Sequence, residues 1–341
     1  MESRRNNLDL IRFLCAVLVI FSHSYPLTNS SKEPLAVFTR QTSFGGIAVA
    51  VFFVVSGFLI PQSFDRSDNV INYFKARILR IFPGLLICFC FAAFIIGPIF
   101  TSLPLSDYFT NGQTYKYFVG FTLLPNVSPS LPSVFTDNPF GSFVNGSLWT
   151  LKFEFFFYIV VAFIGRFKML NKKYVVFFFT LFLALSLLKI NEDIHNLFML
   201  GSYFFGGTLL YIFREQIVLK HYYAIASFAL ILLASQLGFM NATIAVFGSY
   251  LVIYMGFQRK LFFPNFAKYG DFSYGIYIYA FPIQQAIVAA LGKTISPFEN
   301  FIISLPIVIV LSFFSWHLVE KRALRLKNYS FRKNTGRNKT A

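Results

Sequence analysis

The sequence predicts an all-α, polytopic integral membrane helical bundle with about ten transmembrane helices and both termini in the cytoplasm. Hydrophobic residues make up 56% of the 341-residue chain and charged residues only 13%, about half the charged share of a soluble domain. The apolar residues form runs long enough for a helix to cross roughly 30 Å of hydrocarbon. These runs lack the alternation of polar and apolar residues that is typical of membrane β-barrel strands.

Ten apolar segments define the predicted helices in chain order. Their boundaries are residues 10–27, 44–61, 81–103, 147–165, 174–190, 196–213, 222–239, 241–258, 270–291 and 299–319. The seventh and eighth are separated by little more than the residues from Gly238 to Asn241. We predict two helices there, because the combined segment is too long for a single crossing.

The distribution of basic residues orients the predicted bundle. Most of the 30 Lys and Arg residues fall in loops on the side of the amino terminus, which the positive-inside rule assigns to the cytoplasm. The loop over 104–146 then lies outside, and its length is typical of a functional loop. We expect one membrane domain over 1–327, followed by a basic, disordered cytoplasmic tail over 328–341.

The composition also excludes several kinds of site. Cys15, Cys88 and Cys90 lie in apolar runs, so we expect small core residues rather than disulfides or metal ligands. The basic residues are dispersed, which argues against a nucleic-acid partner despite the net charge of +16. No cleavable signal peptide is predicted, because the first apolar segment is long and contains Arg12.

Ionisable residues inside membrane segments are costly and are therefore candidate functional residues. Arg12 and His23 lie eleven residues apart in the first segment, on one helix face and about 16 Å apart along the axis. Glu154, in the fourth segment, is predicted at a depth similar to that of His23, where the two could pair. Lys152 could contact Glu154 or extend outward. Taken singly, Arg12 is better explained by snorkelling to the interface and His23 by a hydrogen bond at the interface.

A second cluster is predicted at the inner side. Arg77 and Arg80 share a helix face, and Pro83 follows them as a kink or as the entry to the third helix. Two guanidinium groups so placed can bind phosphate oxygens, although, taken by itself, the pair is better explained by the positive-inside rule. Asp271 and Glu320 lie at the inner ends of their segments. Together, an inner cationic cluster and an outer His–Glu pair favour group transfer across the bilayer.

Six sequence stretches resemble the membrane acyltransferase-3 family, and the resemblance covers nearly the whole chain. They are NLDLIRFLCAVLVIFSHS (7–24), FGGIAVAVFFVVSGFLI (44–60), Arg77-x-x-Arg80 with Pro83, SLWTLKFEFFFY (147–158), GDFSYGIYIYAFPI (270–283) and SWHLVEKRALRLK (315–327). Two positions depart from the family pattern. Ala280 stands where many members have His, and Lys321-Arg322 follows Glu320 in place of Arg-Pro.

The resemblance implies a stand-alone O-acyltransferase of the bacterial inner membrane. Its acyl donor would be cytoplasmic acyl-CoA, with acetyl-CoA favoured, and no metal would be needed. Its acceptor would be a carbohydrate hydroxyl of an O-antigen, exopolysaccharide or capsule unit, which could be linked to a lipid carrier. His23 and Glu154 would be catalytic, and Arg12, Arg77 and Arg80 would bind the donor. A transporter of an acyl donor or small anion, or a non-catalytic scaffold, are the alternatives.

Overall fold

A computed structural model shows a bundle of long helices that follows the ten predicted segments. It describes residues 6–122, 130–188, 191–258, 263, 266–268, 270–292 and 294–328. The tail predicted as disordered lies, from residue 329 onward, outside the described residues. The long helices are α1 (Leu8–Leu27), α2 (Phe44–Asp65), α3 (Val70–Phe100), α4 (Gly146–Arg166), α5 (Lys172–Ser186), α6 (Glu192–Ile212), α7 (His221–Leu237), α8 (Met240–Phe257), α9 (Ser273–Leu291) and α10 (Pro297–Arg325).

Within the described ranges, seven helices are long and apolar enough to cross a membrane: α1, α2, α3, α4, α8, α9 and α10. The remaining three, α5, α6 and α7, occupy the fifth, sixth and seventh predicted segments. Large apolar side chains such as Ile99, Phe163 and Phe228 are exposed on the bundle surface, as expected for side chains that contact lipid. The all-α membrane bundle predicted from the sequence is therefore confirmed.

The third helix begins earlier than predicted. Asn69 caps its amino terminus by accepting the backbone N–H of Asn72 at 2.8 Å, and the helix runs without interruption through Pro83. The interpretation of Pro83 as the entry to this helix is therefore wrong. The first turns of this helix contain charged residues, so its start does not coincide with the start of the apolar run. Arg77 and Arg80 lie within the helix rather than before it.

The turn predicted between α7 and α8 is confirmed. Gly238 ends α7 in the left-handed conformation, with φ of 84°, which glycine adopts without steric cost. Met240 begins α8 directly afterwards. At the other end of α8, buried Asn7 donates its backbone N–H to the carbonyl oxygen of Gly256 at 2.7 Å, which fixes the start of α1.

Helices α2 and α6 pack closely because glycines face the neighbouring backbone. A Cβ atom on Gly57 would overlap the carbonyl oxygen of Phe204, and one on Gly207 would overlap that of Val54. The close approach also lets Thr208 donate its hydroxyl to the carbonyl oxygen of Gly57 at 2.9 Å. Small residues permit this kind of contact between membrane helices, where van der Waals packing drives association.

This contact predicts that Gly57→Ala destabilises the protein. The added methyl group meets rigid backbone, so we expect a loss of about 1–3 kcal/mol in stability, measured as a lower midpoint of thermal unfolding in detergent. Gly112→Ala is the matched control, because a Cβ at Gly112 meets nothing within 4 Å. Equal midpoints for the two variants would contradict the close packing of α2 on α6.

Candidate functional site

A small cavity lies between α1, α2, α4 and α9. Its volume is about 50 Å³, enough for a few water molecules. The cavity has an apolar wall, to which Val49, Phe52 and Phe53 contribute. Its polar lining consists of Arg12, Ser56, Thr150, Glu154, Ser273, Tyr274 and Tyr277. Two of the five predicted site residues, Arg12 and Glu154, therefore face one internal space.

Neutral donors hold the carboxylate of Glu154. Tyr158, one helical turn further along α4, donates its hydroxyl to Oε1 of Glu154 at 2.5 Å, and Ser56 on α2 donates to the same oxygen at 3.3 Å. Lys152 extends away and forms an ion pair with Asp193 at 2.8 Å. Of the two interpretations of Lys152, the outward one is therefore observed. Glu154 is partly exposed to the cavity, where hydrogen bonds to it remain available.

His23 lies at the other end of the site and does not contact Glu154. Its Nδ1 atom is 3.5 Å from the hydroxyl oxygen of Ser147, and its ring packs edge-to-face on Phe281 with the ring centroids 5.6 Å apart. Ser147 and Glu154 are seven residues apart, which in a helix is about 10 Å along the axis. His23 and Glu154 therefore lie at different depths, contrary to the prediction, and they do not pair directly.

Hydroxyl groups occupy the gap between His23 and Glu154. The hydroxyl of Tyr277 on α9 lies 2.6 Å from that of Thr150 on α4 and also contacts the backbone carbonyl oxygen of Ser147. Tyr277 and Thr150 both line the cavity that reaches Glu154. Ser147 therefore contacts His23 through its side chain and Tyr277 through its backbone. Thr150 and Tyr277 lie in two of the stretches that resemble the family, but they were not predicted as site residues because neither is charged at neutral pH.

Two of the predicted arginines share one carboxylate. Arg12 on α1 forms an ion pair of 2.8 Å with Oδ2 of Asp271, and Arg80 on α3 contacts the same oxygen. The other carboxylate oxygen accepts the hydroxyl of Ser273 at 2.5 Å and also its backbone N–H. Asp271 precedes α9 and thus links three helices. Asp9 and Glu320 also lie within electrostatic range of the two arginines, so this end of the site holds charges of both signs.

Arg77 lies beside this cluster but outside the ion pairs. It donates to the hydroxyl of Ser63 at 3.2 Å, and its guanidinium lies 5.8 Å from the ring centroid of Tyr158. Its buried Nε atom has no hydrogen-bond partner among the described residues. The structure therefore brings Arg12 and Arg80 together, and it links Arg77 to Glu154 only through Tyr158.

Glu320 completes the arginine end of the site from α10. It lies in a π-helical turn, Trp316–Glu320, and is 2% exposed. Its Oε1 atom accepts the hydroxyl of Ser315 at 2.9 Å, whereas Oε2 has no hydrogen-bond partner in the described part of the chain. Trp316 of the same turn faces the guanidinium of Arg80 at 5.7 Å. Turns of this kind are frequent at functional sites.

The candidate site thus has two chemically different ends, and a cavity with a polar lining lies between them. Arginines that can bind an anion lie at one end, and an imidazole that can accept a proton lies at the other. In the described residues no three His, Cys, Asp or Glu side chains come together as a metal site would require. Cys15, Cys88 and Cys90 are free thiols.

Comparisons with known proteins show the family of the chain. A family model described as an acyltransferase domain matches residues 5–317. An O-acetyl transferase of Shigella phage Sf6 is 30% identical over 336 residues, covering 94% of this chain and 96% of the relative. Nodulation protein 10 of Rhizobium leguminosarum bv. viciae is 25% identical over 364 residues, covering 96% and 95%.

A third relative matches a shorter stretch. Acyltransferase MdmB of Streptomyces mycarofaciens is 30% identical over 119 residues, which covers 35% of this chain and 28% of the relative. No solved structure shows a significant match.

Proposed function

The chain belongs to the acyltransferase-3 family, and from that membership we propose that it transfers an acyl group, in the simplest case acetyl, from cytoplasmic acyl-CoA to a carbohydrate hydroxyl. The acceptor would be a surface or lipid-linked polysaccharide such as an O-antigen, exopolysaccharide or capsule unit. The protein is a multi-pass membrane acyltransferase. The bacterial inner membrane, the CoA donor and the carbohydrate acceptor are parts of the proposal.

One observation carries the proposal. Arg12, Glu154, Thr150 and Tyr277 line one cavity, and Ser147 links Tyr277 to His23. Such a path gives an anionic donor a binding end and gives the acceptor a base at the other end. The O-acetyl transferase relative, which aligns over 94% of this chain, supports the same reaction class.

In the proposed reaction His23 acts as general base. It takes the proton of the acceptor hydroxyl while that oxygen attacks the thioester carbonyl carbon. The new C–O ester bond forms, the C–S bond breaks, and CoA leaves as a thiolate that receives the proton from the imidazolium. Glu154 would stabilise the transient positive charge through the intervening hydroxyl groups rather than by direct contact. In a second route His23 is itself acylated and then passes the acyl group to the acceptor.

This mechanism predicts that His23→Ala abolishes acyl transfer. Loss of a general base costs about 10²–10⁴-fold in rate, measured with radiolabelled acetyl-CoA in membranes of cells that make the glycan. Glu154→Gln is expected to cost less, because an amide oxygen can still accept from Tyr158 and Ser56. His195→Ala is the matched control, since His195 lies at the amino-terminal end of α6 and has no role in the mechanism.

A correctly inserted His23→Ala protein that acylates its glycan at the normal rate would refute the mechanism. Transport of acetyl-CoA or a small anion by purified protein without any acyl transfer would favour the transporter alternative. Acyl-protein trapped in the wild type, and lost in His23→Ala, would identify the route through an acylated histidine.

The donor end predicts that Arg77→Ala/Arg80→Ala weakens acyl-CoA binding by about tenfold or more, because two charged hydrogen-bond donors to phosphate are lost. Arg77→Lys should also weaken binding, since an ammonium group lacks the planar fork. Binding of acetyl-CoA is measured by isothermal titration in nanodiscs. Arg66→Ala is the control, because Arg66 is exposed just beyond α2. Unchanged affinity in the double variant would exclude these arginines as the donor site.

The proposed orientation predicts opposite labelling of two loops. Thr136→Cys lies in the loop after α3 and is exposed, so a membrane-impermeant maleimide should label it in intact spheroplasts. Asp68→Cys lies in the exposed turn between α2 and α3, and it should be labelled only after the inner membrane is permeabilised. The unsubstituted protein, with its three native thiols, gives the background. The reverse pattern would place the termini outside.

A further inference from the structure

The segment 130–145, which we call the docked loop, is fixed to α9 by buried hydrogen bonds. Gln285 is fully buried and donates its side-chain amide to the carbonyl oxygens of Gly141, at 3.0 Å, and Phe143, at 2.9 Å. Asn138 donates to the side-chain oxygen of Gln285 at 2.8 Å. These bonds hold the backbone on both sides of Ser142.

The two ends of the docked loop are fixed as well. Asn145 donates its amide to the carbonyl oxygen of Ile278 on α9 at 2.8 Å, and Thr101 at the end of α3 donates its hydroxyl to the carbonyl oxygen of Pro132 at 2.9 Å. Non-helical backbone at the level of membrane helices is tolerated only where protein or water satisfies it. The docked loop therefore has a defined conformation rather than that of a simple connector.

A chain of aromatic rings leads from His23 to the surface of this loop. Phe281 on α9 contacts the ring of His23, with centroids 5.6 Å apart, and the ring of Phe140, with centroids 5.5 Å apart. Phe140 in turn contacts Phe143 at 6.0 Å and an interplanar angle of 69°. Phe281 is 3% exposed, whereas Phe140 and Phe143 are 39% and 44% exposed. Phe140 and Phe143 thus lie at the surface, and Phe281 connects them to His23.

We propose that Phe140 and Phe143 form a stacking platform for a sugar ring of the acceptor, which would bring its hydroxyl to His23. This inference rests on the proposed function and assigns the acceptor-binding residues of the same site. The C–H groups on one face of a pyranose ring carry partial positive charge, and the face of an aromatic ring is negative. A rigid aromatic pair supplies this contact with little loss of side-chain entropy.

The neighbours of the platform favour a carbohydrate over a lipid chain. Thr136 and Asp137 are exposed in the same loop, and Ser142 separates the two phenylalanines. Hydroxyl and carboxylate groups can bind sugar hydroxyls, whereas they would be costly beside hydrocarbon. The same combination of an apolar surface with a few polar groups is typical of small-molecule sites.

The test compares Phe140→Ala/Phe143→Ala with the wild-type protein in nanodiscs. Radiolabelled acetyl-CoA is the donor and a panel of octyl glycosides that differ in the sugar ring is the acceptor. We expect the KM for the best wild-type glycoside to rise about tenfold, from the loss of apolar contact and ring stacking. The KM for acetyl-CoA and kcat should change by less than about twofold, because the donor end lies across the cavity.

Two further variants separate recognition of the sugar from other effects. Phe140→Tyr/Phe143→Tyr keeps both ring faces and should retain the wild-type KM. Phe109→Ala removes a phenylalanine of similar exposure whose ring contacts Tyr108, and it should also leave KM unchanged. An equal rise in KM for Phe109→Ala would show that the octyl chain, rather than the sugar, is being sensed, and would overturn the inference.

A wild-type KM in the alanine pair would also overturn it, as would parallel losses in kcat and in the KM for acetyl-CoA, which would indicate a structural role. Failure of the wild-type protein to acylate any glycoside, with acetyl-CoA still bound, would count against the proposed function itself. Failure of the inference and failure of the proposed function are distinguishable. The first is measured with an active wild-type enzyme, and the second is an inactive wild-type enzyme.

Discussion

The carboxylate of Asp271 allows two arginines to lie inside the helical bundle. A charge within the membrane is tolerated where it is paired inside the protein or reaches water. Asp271 contacts Arg12 from α1 and Arg80 from α3, and Ser273 at the start of α9 binds its other oxygen. Three helices are thereby fixed around the arginine end of the cavity. The position of the cavity that Glu154 lines depends on this one carboxylate.

The rest of the polar site is built from neutral groups. Glu154 is bound by the hydroxyl groups of Tyr158 and Ser56, and Thr150 is bound by that of Tyr277. Hydroxyl groups can donate or accept a hydrogen bond, so this arrangement adapts when the charge on Glu154 or His23 changes. The two residues do not form a direct ion pair in this arrangement.

The long helices and the docked loop are held in place by different interactions. Gly57 and Gly207 bring α2 against α6, and this sets the position of Ser56, which lies beside Gly57. The docked loop relies instead on the buried amides of Gln285, Asn138 and Asn145, because irregular backbone cannot satisfy its own polar groups. The position of Ser56 thus depends on close helix packing, and the conformation of the docked loop depends on side-chain hydrogen bonds.

The sequence alone determined the all-α membrane class, the order of the apolar segments and the turn at Gly238, because these follow from the length of apolar runs and from local backbone preferences. It also singled out Arg12 and Glu154 as candidate functional residues, since ionisable groups are rare inside such segments, but assigned them to opposite ends of the site. Tertiary structure decided which groups meet. Asp271 rather than Glu320 contacts Arg80 directly, and His23 meets Ser147 rather than Glu154. Such pairings depend on the axial offset and rotation of neighbouring helices. Close packing fixes both to within a turn, whereas the length of an apolar run specifies neither.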